Sequence, residues 1–310
     1  MFTDSHSHIH FTPEFPDVAD VIARAENNDV KRQVLVGCGP RDCFALPAFL
    51  NKYKEKDFWG SVGVHPHDAD KVTEVMLKDF ARLIDRADKI VAIGEIGLDY
   101  YRNLQPENIQ KRAFITQLDF AKQLGMTVII HVRDAWDDAF KILMDLKMEK
   151  VILHTYSGGM ELAKKFWDKG YYMGISGVVT YPKNELLREI VAEAPMERLL
   201  LESDCPYLSP QRYRGQRNEP AYIVETANEI ARVRNVDVEE VAQVTSSNTL
   251  SALGVGVQVL GSGFDYGNKI AKRFHFNCIC FFTFLFGGNH NVKTGFGRFH
   301  DSFWQVADGS

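Results

Sequence analysis

Residues 106–131 read PENIQKRAFITQLDFAKQLGMTVIIH. Two patterns meet in this stretch. In the first, Ile109, Ala113, Phe114, Leu118, Ala121 and Leu124 recur three and four residues apart and form one apolar stripe of a helix. Pro106 suits the first turn of that helix, where its missing N–H removes no bond. The second pattern is the run Thr127–Ile130, which is short, rich in β-branched residues and without polar alternation. It reads as a strand buried on both faces. The run stops at His131. An amphipathic helix feeding a fully buried strand is the repeating unit of a parallel α/β sheet.

The same unit recurs in both directions along the chain. Further apolar runs stand at Phe2–Thr3, Gln33–Val36, Trp59–Val64, Ile90–Ile93, Val151–Leu153, Tyr171–Ile175 and Leu199–Leu201, with helical patterns between them. Eight strands alternating with helices over roughly 250 residues match an α/β fold of the (β/α)8 TIM-type barrel. A doubly wound open sheet would want a glycine-rich phosphate loop after its first strand. That place holds Asp4-Ser5-His6 instead. Two more helical patterns follow the eighth strand, Ala221–Arg234 and Val238–Leu253. The expected organisation is a hydrolase barrel over residues 1–254 and an atypical C-terminal extension over 255–310. The extension is rich in Gly, Phe and Asn, has no helical period, and is a candidate for disorder of unknown structure.

Composition narrows the classes. The net charge of −5 argues against a protein that coats nucleic acid non-specifically, while leaving room for a local basic rim. Five cysteines, an odd number without a CxxC pair, argue against a disulfide framework and a zinc ribbon. A reducing cytoplasm is the expected compartment. The opening MFTDSHSHIH has polar residues where a signal peptide needs an apolar run. The longest apolar stretch, Cys278 to Phe286, is too short for a membrane span. Neither a membrane nor an obligate protein partner is expected.

Catalytic residues of such barrels stand at the C-terminal ends of strands and in the loops that follow. Strand one ends in His6-Ser7-His8, strand three in His65-Pro66-His67, strand four in Glu95 with Asp99 beyond, strand five in His131 followed by Arg133, strand six in His154 and strand eight in Asp204. Strands two and seven end in Gly37-Cys38-Gly39 and near Gly174 and Ser176, without an obvious hard ligand. In a strand, residues i and i+2 face one way, so His6 and His8 aim both imidazoles at one point. Four imidazoles and two acids are too many for one catalytic zinc that keeps a site for water. They suit two ions about 3.5–4 Å apart with a bridging carboxylate. Each residue alone has a plainer reading: Asp204 as a helix cap, Glu95 as a structural ion-pair partner, a single histidine as a hydrogen-bonded core residue. Those readings would have to hold independently at five strand ends on one rim. His65 reads as a contact to a substrate phosphate, Arg133, Arg214 and Arg217 as guanidinium partners of a phosphodiester, and Cys205 as a packing residue.

The stretches Asp4-Ser5-His6-Ser7-His8, Gly63-Val64-His65-Pro66-His67, Gly94-Glu95-Ile96-Gly97-Leu98-Asp99-Tyr100, Ile130-His131-Val132-Arg133, His154-Thr155-Tyr156-Ser157-Gly158 and Glu202-Ser203-Asp204-Cys205-Pro206-Tyr207 resemble, in this order, the TatD family of metal-dependent deoxyribonucleases. The loop Tyr213–Pro220 resembles that family's loop after strand eight, and the likeness covers about residues 1–254. The resemblance implies a (β/α)8 fold, two divalent ions (zinc, manganese or magnesium) and DNA as substrate. It implies ligand roles for His6, His8, Glu95, His131, His154 and Asp204. In this reading Glu95 bridges the ions and Asp204 also takes a proton from the attacking water. The alternative keeps the barrel and hydrolyses an aminoacyl ester on tRNA or a C–N bond with the same activated water. Relatives that cut C–N bonds bridge their metals with a modified lysine on strand four, where this chain offers Glu95. A binding protein without catalysis would be expected to have lost ligands.

Overall fold

The computed structural model describes residues 1–11 and 13–255. Its strands are β1 (Phe2–Ser7), β2 (Val30–Val36), β3 (Asp57–Val62), β4 (Ile90–Asp99), β5 (Thr127–Arg133), β6 (Val151–Leu153), β7 (Tyr172–Ile175) and β8 (Leu199–Leu201). Each neighbouring pair runs parallel, in the order β1 to β8. The helices between them are α1 (Val18–Asn27), α2 (Pro40–Lys52), α3 (Glu74–Arg86), α4 (Glu107–Leu124), α5 (Trp136–Asp145), α6 (Met160–Asp168) and α7 (Glu185–Glu193). Helices α8 (Ile223–Arg234) and α9 (Val238–Leu253) follow β8. This is the TIM-type (β/α)8 fold read from the alternation. The extension beyond Val255, including the aromatic run Phe281–Phe286, lies outside the described residues.

Helix α4 shows how local sequence makes its element. Pro106 stands one residue before the helix, at φ −54° and ψ 140°, and Gly125 ends it at φ 67°. That left-handed conformation costs glycine no Cβ clash. The stripe read from the sequence faces inward: Ala113, Phe114, Leu118 and Ala121 are buried.

Strand β4 is longer than its sequence suggests. The apolar run ends at Ile93, yet the strand continues through Gly94-Glu95-Ile96-Gly97-Leu98 to Asp99. At Gly97 the φ is +145°, and a Cβ there would stand 1.9 Å from the carbonyl oxygen of His131. Glycine here admits the close backbone of β5, with Gly97 registered against His131. Strand β1 likewise runs on to Ser7, which places His6 within the sheet.

The seam between β8 and β1 is short. Ser7 and Cys205 form a single parallel bridge. Backbone bonds from Asp204 to His6 (2.9 Å) and from His8 to Cys205 (3.1 Å) join the same two chain segments. The buried Asp4 carboxylate reinforces the seam by accepting from the Ser203 amide (2.9 Å) and hydroxyl (2.6 Å). Burial drives this carboxyl up to about 7 despite those donors. Cys205 is buried as expected of a packing residue, although β8 itself stops at Leu201.

Val34, Ala92, Ile152 and Leu200, from alternate strands β2, β4, β6 and β8, pack in one apolar cluster with Val36 and Ile129. Ala252 and Leu253 at the end of α9 join it. The Thr127 hydroxyl donates to the carbonyl of Ala252 at 2.6 Å. The strands' other ends carry the polar residues.

Candidate metal centre

Seven of the residues singled out in the sequence converge at the C-terminal ends of the strands. Glu95 lies inside β4 and is 4% exposed. Its two carboxylate oxygens face different neighbours. Oε1 stands 2.9 Å from His131 Nδ1, 3.5 Å from His65 Nε2 and 3.8 Å from His154 Nε2. Oε2 stands 3.5 Å from His6 Nε2 and 3.9 Å from His8 Nε2. Asp204 Oδ1 lies 3.5 Å from both His8 Nε2 and His154 Nε2, and 3.9 Å from His6 Nε2. Donor atoms within 4.8 Å of one another form four groups: His6, Glu95 and His154; His6, His8 and Asp204; His8, Cys38 and Glu95; His65, Glu95 and His131.

The hydrogen bonds at the back of each ring set its tautomer. His8 Nδ1 meets the carbonyl of Val36 at 2.7 Å, so it carries the proton and leaves the Nε2 lone pair facing the centre. His154 Nδ1 faces Glu202 Oε1 at 3.1 Å with the same result. His6 stacks on His154 with ring centroids 3.5 Å apart, and its Nε2 meets His8 Nε2 at 3.2 Å. Two ring nitrogens that close need a proton or a cation between them. Among the described residues, the ion pairs of Glu95, Asp204 and Glu202 are with histidines alone. Buried imidazoles and carboxylates without lysine or arginine form the donor set that suits divalent cations. The residues therefore fit a metal.

The site's electrostatics agree. Burial would raise Glu95, but His65, His131 and His6 hold its carboxyl well below the usual range. Burial also opposes ionisation of Asp204, and His154 and His8 hold it low. Burial lowers His154, yet Glu202 and Asp204 raise it to about 10. His154 thus holds a proton where a cation would otherwise neutralise the carboxylates.

His65 behaves differently. Its Nδ1 accepts from the His67 amide at 3.2 Å, which puts its proton on Nε2, the atom facing Glu95. Burial keeps this ring neutral, down at about 4. His67 faces Asp99 at 2.8 Å, and Asp99 also reaches His131 Nε2 at 3.3 Å.

The arginines divide. Arg133 is exposed at the end of β5 and lies 3.8 Å over the ring of Tyr101. Arg214 is exposed and lies 4.3 Å over Tyr181. Both terminal nitrogens of Arg217 are committed to Asp17, Glu219 and the Glu14 carbonyl.

Glu202 was not singled out in the sequence. It is wholly buried, and its Oε1 accepts from the Thr155 amide (2.5 Å) and hydroxyl (2.7 Å) as well as facing His154. Thr155 sits at φ 40°, an outlying conformation for a β-branched residue, and Glu202 holds it there. A usable signal existed: Glu202 precedes Asp204 by two residues, the same spacing that drew attention to His6 and His8. Cys38 also reaches the centre, its Sγ 3.1 Å from Glu95 Oε2.

The chain is similar to known proteins over most of its length. The family model of TatD related DNase matches residues 3–254. An uncharacterized metal-dependent hydrolase, YabD of Bacillus subtilis, is 37% identical over 251 residues, covering 80% of this chain and 97% of that protein. The 3'-5' ssDNA/RNA exonuclease TatD of Shigella flexneri is 34% identical over 250 residues, covering 77% of this chain and 94% of that protein. The crystal structure of YJJV, a TatD homolog from Escherichia coli, superposes with a TM-score of 0.76 at 28% identity, over 82% of this chain and 98% of that one. The chain thus belongs to the family of TatD related DNases, metal-dependent hydrolases acting on ester bonds.

Proposed function

We propose that the chain hydrolyses phosphodiester bonds of DNA with two divalent ions, held by His6, His8, Glu95, His131, His154 and Asp204. The observation that carries this reading is the division of labour at Glu95. One oxygen faces His131 and His154, the other His6 and His8. A carboxylate so flanked is suited to join two ions. Bound ions would supply Lewis acidity to the phosphoryl group and lower the pKa of water. The protein's own part follows from its geometry. Asp204, kept ionised by His154 and His8, is the proton acceptor for the attacking water. His65, protonated on Nε2, is a neutral donor to a non-bridging phosphate oxygen. Arg133 and Arg214 offset the charge of the incoming strand, each stacked on a tyrosine at the rim. Arg217, with both terminal nitrogens committed and its guanidinium 4.7 Å over the ring of Phe15, has only its Nε left for that task.

Glu95 at the position of a bridging lysine, and a relative named as an exonuclease, favour phosphodiesters over C–N bonds. Three free thiols among the described residues suit the cytoplasm. The test is hydrolysis of 3′- or 5′-labelled DNA oligonucleotides with and without chelator, beside an aminoacyl-tRNA ester and a dipeptide. Chelator-sensitive cleavage of DNA, with metal content approaching two ions per chain, is expected. Saturation at one ion with every metal, or turnover of the ester or dipeptide alone, would overturn the proposal.

A further inference from the structure

Beside the six proposed ligands and His65, the cluster holds one donor still without a role. Strand β2 ends at Val36, and the chain turns through Gly37-Cys38-Gly39 into α2. Asp42 in the first turn of α2 fixes that turn. Its Oδ2 accepts from the Cys38 amide at 2.6 Å and its Oδ1 from the Gly39 amide at 2.9 Å. So held, the Cys38 side chain reaches the Glu95 carboxylate beside the Nδ1 edge of His8. Its Sγ stands 3.1 Å from Glu95 Oε2 and 3.7 Å from His8 Nδ1.

The two sides of Glu95 therefore differ in chemistry. Around Oε1 stand three imidazoles. Around Oε2 stand two imidazoles and a thiol. A second observation, independent of the cysteine, calls for a cation on that side. His6 Nε2 and His8 Nε2 face each other at 3.2 Å, both within 4 Å of carboxylates whose ion pairs, among the described residues, are with histidines alone. Nitrogen and oxygen donors bind a tetrahedral ion at about 2.0–2.2 Å and sulfur at about 2.3 Å, so neighbouring donors on one ion stand roughly 3.2–3.7 Å apart. The His6–His8 and His6–Glu95 spacings fall in this range, while the 3.1 Å Cys38–Glu95 spacing is that of an S–H···O hydrogen bond, which a shared ion would lengthen by about 0.4 Å.

We propose that Cys38 is a soft ligand to the ion on the His6–His8 side of Glu95, making that half of the centre selective for thiophilic divalent metals. This rests on the metal reading above. Binding breaks the S–H bond, forms a metal–sulfur bond and releases the proton to solvent; no electron is transferred. Burial and the Glu95 and Asp42 carboxylates push the free thiol up, and a coordinated cation reverses that balance by deprotonating the sulfur. Thiolate favours zinc, whereas carboxylate and water favour magnesium and manganese. In the absence of such a bond Cys38 would simply donate a hydrogen bond to Glu95.

Cobalt(II) loading of the full chain separates these cases. Cobalt bound to nitrogen and oxygen gives visible d–d bands, and a cobalt–thiolate bond adds a near-ultraviolet charge-transfer band. The expected wild-type spectrum has both, and Cys38→Ser keeps the d–d bands but loses the charge-transfer band. Bound cobalt without that band in the wild type, or a band that survives in Cys38→Ser, would overturn the role of Cys38 while leaving the metal centre standing. No cobalt spectrum at all would overturn the metal reading itself. The wild-type spectrum decides even where Cys38→Ser fails to fold. With the folded variant, preference for zinc over manganese should fall by on the order of 10–100-fold, the usual scale for disturbing a metal's support.

Discussion

Glu202→Gln should weaken metal binding far more than it weakens the fold. Glu202 Oε1 gathers three donors: the Thr155 amide and hydroxyl and the His154 ring. The other oxygen, Oε2, is buried without a hydrogen-bond partner. Glutamine has the same length, so its amide oxygen can keep the three bonds while the charge is lost. Bonds to a charged acceptor contribute about 1.5–3 kcal/mol and neutral ones about 0.5–1.5. An amide is cheaper to bury than a carboxylate, which offsets this deficit and the cost of an amide NH2 placed where Oε2 has no partner. A small net change in folding follows, on the scale of about 1 kcal/mol, or about 2–4 °C in melting temperature for a domain of this class. The effect on the metal is larger, because the carboxylate orients His154 and raises its basicity. Loss of such a partner typically weakens metal affinity about 10–100-fold. Glu202→Ala would not separate the two effects. It leaves three donors unpaired in the interior at about 1–3 kcal/mol each, comparable to a whole domain's margin. Gly174→Ala offers a second perturbation, since its Cβ would stand 2.1 Å from Glu202 Oε2 and force that side chain to move. The assay is calorimetric titration with manganese or zinc beside the melting temperature of the metal-free protein. Wild-type metal affinity in a folded Glu202→Gln would refute the orienting role.

Asp204→Asn keeps shape and removes the proton acceptor, so kcat should fall about 10²–10⁴-fold with the melting temperature held. A near-normal kcat would sink the role of Asp204 as base. Arg217→Ala should destabilise by about 1–3 kcal/mol at neutral pH, as its guanidinium bonds are charge-assisted on both sides. Burial opposes ionisation of Glu219, but Arg24 and Arg217 hold its carboxyl low. The depressed folded value stabilises the protein above the unfolded pKa of roughly 4.3 and is lost as pH falls through the folded value. The gap in melting temperature between wild type and Arg217→Ala should therefore narrow below about pH 4, and a gap independent of pH would contradict the ion-pair account. Truncation after Val255 should preserve metal binding and hydrolysis and improve solubility, because Phe281–Phe286 combines aromatics with no charge and no proline. Failure of the truncated chain to fold would show the extension to be part of the core.

The barrel was legible because its cause is local. Strands buried on both faces must be apolar throughout, and helices packed on one side must carry a stripe, so both periods are written in the chain. The convergence of His6, His8, Glu95, His131, His154 and Asp204 was legible for a related reason. A barrel brings all strand ends to one rim, and a polar residue closing an apolar run marks that rim. Other features depend on which backbone lies beside which. The sequence reading ended strand four at Glu95, just past an apolar run that stops at Ile93. Only the neighbouring β5 backbone explains why Gly94 and Gly97 lie inside a strand that extends to Asp99. Glu202 reads as one more acidic residue until Thr155, His154 and the bare Gly174 are seen around it. Arg217 reads as one basic residue among several in its loop, and only the segment before α1 supplies the Asp17 carboxylate and Glu14 carbonyl that hold it. Cys38 stands 57 residues from Glu95 and its sulfur 3.1 Å away. By itself the sequence determined the period of the elements and the residues at their ends, since both follow from what each segment must bury. The tertiary structure decided which of those residues face a common point and which are neutralised elsewhere, since pairing between distant segments depends on closure of the sheet.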